Sequence, residues 1–179
     1  MKHMLKGLIV VTALTAGQAA AAGPTPSAIA GFGGVHPTEG AGQRPDRKLR
    51  YRVVFSITKA ATEPGKVNPS LDRVARFLNL LAADGVRPRR GDLVAIVHGP
   101  ATPLTMSDEA YRARFGTPNP NLELIRRLRG AGAEVHVCSQ ALSGNKIERS
   151  SVAELVEIDV AALVTIANLQ LRGYALIPD

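Results

Sequence analysis

The sequence predicts an α/β protein with three layers, α/β/α, built around a mostly parallel five-stranded sheet. Three observations carry this expectation. Residues Asp92 to His98 form a nearly continuous apolar run, the pattern of a strand buried on both faces. Leu71, Val74, Ala75, Leu78, Leu81 and Ala82 recur at the spacing of one buried helical stripe. Segments of these two kinds alternate along the chain, which implies crossover connections between parallel strands and helices on both faces.

Taken in order, the chain opens on a segment expected to be removed. Met1 to Lys6 carries Lys2 and Lys6, Gly7 to Ala16 is apolar, and Ala19 to Ala22 offers small residues for cleavage. This charged, apolar, small order predicts a secretory signal peptide over residues 1–22, and hence an exported, periplasmic or extracellular protein. The apolar run is too short for a membrane span, and no later run is long enough, so no span is expected after cleavage. Residues 23–48, rich in Gly and Pro and without an apolar period, read as a flexible or extended lead-in. Its Gly31-Phe32-Gly33-Gly34 is not a phosphate loop, because no strand precedes it and no helix follows.

The folded domain is expected over 49–179. Tyr51 to Ile57 is rich in β-branched and aromatic residues and predicts the first strand. Asn68-Pro69 supplies a cap and a first-turn proline for the striped helix, and Gly85 ends it. Asp92 to His98 is the second strand, stopped at Gly99-Pro100. Ser107 caps a short helix to Phe115. Asn119-Pro120 repeats the cap-plus-proline signal before a stripe of Leu122, Leu124, Ile125 and Leu128. Ala133 to Cys138 is a third strand. Ser150 to Val156 reads as helical, Glu157 to Ala161 as a fourth strand, Leu163 to Leu171 as a helix closed by Gly173, and Tyr174 to Pro178 as a fifth strand.

Composition narrows the function. The formal charge is +7, and +5 once Lys2 and Lys6 are removed, so the chain is basic either way. Aromatic residues are only 4% and Trp is absent, which argues against a stacking platform for nucleic acid. The arginines are scattered and read mainly as solvated faces. A single cysteine excludes an intramolecular disulfide framework and the multi-cysteine zinc sites, and no metal or other cofactor is expected.

Ligands of open α/β sheets gather beyond the carboxyl ends of the strands. His98 follows the second strand there and Cys138 ends the third. A thiolate is a nucleophile, and a neighbouring cation or helix N-terminus favours it. His136, two residues before Cys138, shares its strand face if the strand stays regular. Ser139 and Gln140 offer hydrogen bonds to a thiolate or persulfide. Each residue also has a structural reading. Free cysteine is often simply buried, His98 fits a turn before Gly-Pro, and His136 fits a packed strand. Asp108 and Glu109 suit the dipole of a helix start better than acid–base chemistry.

Three stretches in order carry a resemblance. They are Val97-His98-Gly99-Pro100, Val135-His136-Val137-Cys138, and Leu169-Gln170-Leu171-Arg172-Gly173-Tyr174-Ala175 leading into Ile177-Pro178. From Arg52 to Pro178 the chain resembles the DsrE/DsrF-like proteins, small α/β domains connected with sulfur relay. The resemblance implies a persulfide on Cys138, with His98 and His136 tuning the thiol and Gly99, Ser139, Gln140 and Gln170 in the binding set. It also implies a homo-oligomer, trimer or hexamer, and a protein donor or acceptor of sulfur. The rhodanese-type loop, with Gly and Arg closely following the cysteine, is absent. The expected function is therefore an exported sulfur-binding or sulfur-transfer protein, a sulfurtransferase or carrier. The alternative is a non-catalytic oligomeric module, for small-ligand binding or assembly, with Cys138 as a buried structural residue. Nucleotide binding ranks below both for want of a phosphate loop.

Overall fold

The computed structural model describes residues 28–179; the expected signal peptide and residues 23–27 lie outside them. Five strands form: β1 (Val53–Ile57), β2 (Leu93–Val97), β3 (Glu134–Cys138), β4 (Glu157–Asp159) and β5 (Ala175–Ile177). Five helices connect them: α1 (Pro69–Ala83), α2 (Asp108–Phe115), α3 (Leu122–Gly130), α4 (Ser139–Gly144) and α5 (Ala162–Leu171). The sheet order is β4-β3-β2-β1-β5, and every neighbouring pair is parallel.

Chain handedness explains the layers. From β1 to β4 the chain steps steadily one way across the sheet, so right-handed crossovers put α1, α3 and α4 on one face. The return from β4 to β5 runs the other way and must cross the opposite face. That crossover is α5. One core therefore joins Val53, Phe55, Ile57, Leu93, Ala95, Val97, Val135 and Val137 to Leu71, Val74, Leu124, Ile125, Leu128 and Leu142. The other, much smaller, joins Val54, Val94, Ile96 and Cys138 to Ala162 and Leu169 of α5. Strand alternation sorts these residues between the two faces.

The caps behave as local chemistry dictates. Asn68 Oδ1 accepts from the Ser70 and Leu71 amides, with Pro69 in the first turn. Ser107 Oγ accepts from Ala110 N at the start of α2. The Asn119-Pro120 signal is displaced, because α3 begins at Leu122 and Asn121 is its cap residue. Asn119 instead brackets the loop: its Oδ1 accepts from Asn121 N, and its amide donates to the carbonyls of Leu104 and Met106.

Three segments differ from the local pattern. Gly99–Thr105 winds into a 3-10 helix, with Thr102 Oγ1 donating to Gly99 O and Thr105 Oγ1 to Thr102 O. Ser150 to Val156 is not a helix. After one 3-10 turn at Arg149–Ser151, Val152 bridges antiparallel to Met106, and Ser107 N and Ala153 N bond across the same pair of segments. Pairing with a remote segment outcompetes the weak helical pattern. Residues 28–48 have no regular structure, yet their start is docked on α1. Ile29 is 1% exposed, and Asn79 accepts from its amide while donating to the carbonyls of Phe32 and Gly33. Gly33 has φ +57, and a Cβ there would stand 2.2 Å from Arg76 N, so the glycine serves close approach to α1.

Candidate functional site

Cys138 is the last residue of β3 and the cap residue of α4, so the helix starts at Ser139 with no intervening loop. Cys138 is 6% exposed and belongs to the small core beneath α5, with Ile96 and Ala162. β3 stays regular to its end, so His136 shares the face of Cys138. No hydrogen bond to the sulfur is present among the described residues.

His136 belongs to a cluster that the sequence reading missed. Its Nδ1 donates to the Asp159 carboxylate, 3.0 Å from each oxygen, and Thr165 Oγ1 donates to the same carboxylate at 2.6 Å. Its Nε2 is buried without a hydrogen bond, 3.5 Å from Glu134 Oε2. Asp159 stands directly across from Cys138 in the β3–β4 register, which makes it the carboxylate of the adjoining strand nearest the thiol's position. Only the pairing of β3 with β4 reveals it; alternation along Glu157-Ile158-Asp159 is the sole sequence signal.

His98 follows β2 one step beyond the Val97–Val137 pair, on the face shared by Val94, Ile96 and Cys138. Its Nε2 lies 2.9 Å from Ser56 Oγ on β1, on the side of β2 away from β3. Burial holds the His98 pKa below the usual histidine value, and the nearby Asp179 charge opposes this only in part. Gly99, at φ +56, turns the chain into the 3-10 helix. Its carbonyl accepts from Asn145 Nδ2, which also donates to Ala141 O, so the loop after β2 is tied to α4.

Ser139 and Gln140 do not point their side chains' donors at the thiol. Ser139 Oγ donates to Val160 O at 2.8 Å and Gln140 Nε2 to the same carbonyl at 3.4 Å, fixing the turn from β4 into α5. Gln170 is exposed near the end of α5, at the amino ends of the strands and hence at the opposite edge of the sheet from Cys138. The structure brings Cys138, His136, His98 and Gly99 to one edge and leaves Gln170 away from it.

A second group occupies that edge beyond β1. The Asp179 side chain is 5% exposed and reaches from the end of β5 to the loop after the adjacent β1. Its Oδ2 accepts from Thr58 N at 2.6 Å, Lys59 N at 2.7 Å and Thr58 Oγ1 at 3.0 Å. Burial disfavours the charged form, but these bonds and one from the Ser70 hydroxyl outweigh it, taking the pKa down to about 2. Arg73 Nη2 stands 3.4 Å from Oδ1. A 260 Å³ cavity opens nearby between the loop after β1 and α2, walled by Pro64, Pro100, Tyr111 and Phe115; neither Cys138 nor His98 lines it. No group of three or more His, Cys, Asp or Glu suited to a metal ion occurs among the described residues.

A parallel sheet ordered 4-3-2-1-5, with a lone cysteine closing the third strand, defines a three-layer α/β protein with a strand-end thiol. The model of the DsrE/DsrF-like family matches residues 51–178, and the chain belongs to that family. Among solved structures, it is similar to a protein of unknown function, MTH1491, from Methanobacterium thermoautotrophicum. That match has a TM-score of 0.54 and 19% identity, covering 72% of this chain and 99% of the other. It is also similar to the YchN protein from E. coli, with a TM-score of 0.50, 19% identity and the same coverage of 72% and 99%. These likenesses establish a shared fold. A search of curated proteins found no match.

Proposed function

We propose that this is an exported sulfur-binding or sulfur-transfer protein that carries a persulfide on Cys138. The observation that carries the reading is the position of the only thiol. In a chain of the DsrE/DsrF-like family it ends β3 at the carboxyl edge of the sheet, where α/β proteins bind ligands. The Cys138 thiolate attacks a sulfane sulfur, as in thiosulfate; the new S–S bond forms as the old one breaks, and sulfite leaves with the bonding pair. A thiolate acceptor then takes the outer sulfur and returns Cys138 to the thiolate. The Ser139 and Gln140 side chains, engaged by Val160 O in the resting protein, turn to the terminal sulfur once it is loaded. In this reading His136, anchored by Asp159, and His98, anchored by Ser56, tune the thiol from the sheet face they share with it.

Assembly into a trimer or hexamer is part of this reading. Val160 (65%), Leu163 (83%) and Leu171 (88%) are exposed along a segment, residues 160–171, that holds no charged residue. Such a surface suits association with further copies.

One observation favours a second reading, a non-catalytic small-ligand-binding or assembly module: Cys138 is buried under α5 like an ordinary core residue. Intact mass after exposure to polysulfide or thiosulfate separates the two. A reducible gain of one sulfur in the native protein, absent from Cys138→Ser, is the expected result. No adduct, with a thiol that reacts with a disulfide reagent only after unfolding, establishes the module instead.

A further inference from the structure

The Asp179 carboxylate sits in a cradle that does not look built for a carboxylate alone. Two successive amides, Thr58 N and Lys59 N, converge on one oxygen. The Thr58 and Ser70 hydroxyls add donors. The α1 N-terminus is not the source of this capacity, since Asn68 already caps the Ser70 and Leu71 amides.

The informative atom is on Arg73. Nε and Nη2 form one edge of a guanidinium, the edge that grips oxyanions with two parallel bonds. Arg50 shows the filled case: Nη2 donates to Asp92 Oδ1 at 2.7 Å, and Nε lies 3.0 and 3.2 Å from the two carboxylate oxygens. On Arg73, Nη2 donates to Pro178 O at 2.8 Å and only distantly to Asp179 Oδ1, while Nε is buried without any partner. A buried unpaired donor is costly. As seated, Asp179 leaves it unmet, whereas an oxyanion lying closer to Arg73 offers it an acceptor.

We infer that the carboxyl end of β1 is a binding site for a small tetrahedral oxyanion, formed by the Thr58 and Lys59 amides, the Thr58 and Ser70 hydroxyls and Arg73, and that the Asp179 side chain is its internal occupant. A sulfate-, thiosulfate- or phosphate-sized dianion displaces that carboxylate. Displacement frees the segment after β5 from β1 and changes the charge that faces His98, the histidine on the neighbouring strand end. The cradle contains no part of Cys138, so anion binding and persulfide formation stand or fall separately.

The test follows the Thr58 and Lys59 amide resonances of the full chain by two-dimensional NMR during titration with sodium sulfate, thiosulfate and phosphate, against chloride at matched ionic strength. Asp179→Ala is expected to show saturable shifts of both amides, with an affinity about tenfold or more above that of the unsubstituted protein, which must first release its own carboxylate. Adding Arg73→Gln is expected to abolish them. If Asp179→Ala does not fold, the unsubstituted protein at high oxyanion concentration decides alone. Shifts no larger than those with chloride, in whichever protein folds, overturn the proposal and leave Asp179 a structural clasp.

Discussion

The two faces of the sheet are made by the same strands and differ in almost everything else. Beneath α1 and α3 lie Phe55, Leu93, Val97, Val135 and Val137, an apolar layer closed by Leu71, Leu124, Ile125 and Leu128. Beneath α5 the alternate residues include Ser56, His98, His136 and Cys138, joined at the rim by Asp159. The first face stores the stability; the second, covered by one helix, leaves room for polar groups near the strand ends. A single crossover that runs backwards across the sheet creates this division, because one helix cannot cover five strands.

Phe55 and Val54 are neighbours in β1 and point to opposite faces, so they measure the contrast directly. Phe55→Ala is expected to cost about 3–5 kcal/mol, and Val54→Ala about 2 kcal/mol, in urea unfolding at neutral pH. Equal losses, despite the larger side chain deleted at Phe55, would break the comparison and make the core beneath α5 the better packed of the two.

A smaller effect sharpens it at the strand ends. The folded pKa of Asp179, about 2, lies below its unfolded value, so its contribution is present above pH 4 and disappears as pH falls through 2. Asp179→Asn is expected to lose about 2 kcal/mol at pH 7 and to flatten the acid limb of the stability curve between pH 4 and 2. Urea titrations across that range measure both.

The smallest effect concerns His98. Its pKa is depressed by burial and partly restored by the Asp179 charge. Removing that charge in Asp179→Asn is therefore expected to lower the His98 pKa further, as read from its ring-proton NMR titration. An unchanged or raised value would show that Asp179 does not act on this face electrostatically.

Much of this architecture is legible in the chain because its signals are local. The Asn68 cap, the α1 stripe and the apolar β2 run are produced within a few residues by backbone geometry and burial. The shared face of His136 and Cys138 follows from the two-residue strand period alone. The 3-10 helix at Gly99–Thr105 escapes such reading, because its turns are closed by Thr102 and Thr105 hydroxyls rather than by an apolar period. Ser139 and Gln140 were legible as polar neighbours of the thiol, but Val160 O claims both, and Val160 is remote in sequence.

The α/β class, most of the alternation of strands and helices over 49–179, and a lone thiol closing β3 are written locally in the chain, with Ser150 to Val156 the exception. The strand order, the solitary place of α5 and the partners of the histidines come from long-range packing instead. Asp159 reaches His136 across 23 residues and Asp179 reaches Thr58 across 121. Contacts at such separations leave no periodic trace in the chain. They arise when crossover handedness and burial bring strand ends together, and the polar groups delivered there must satisfy one another.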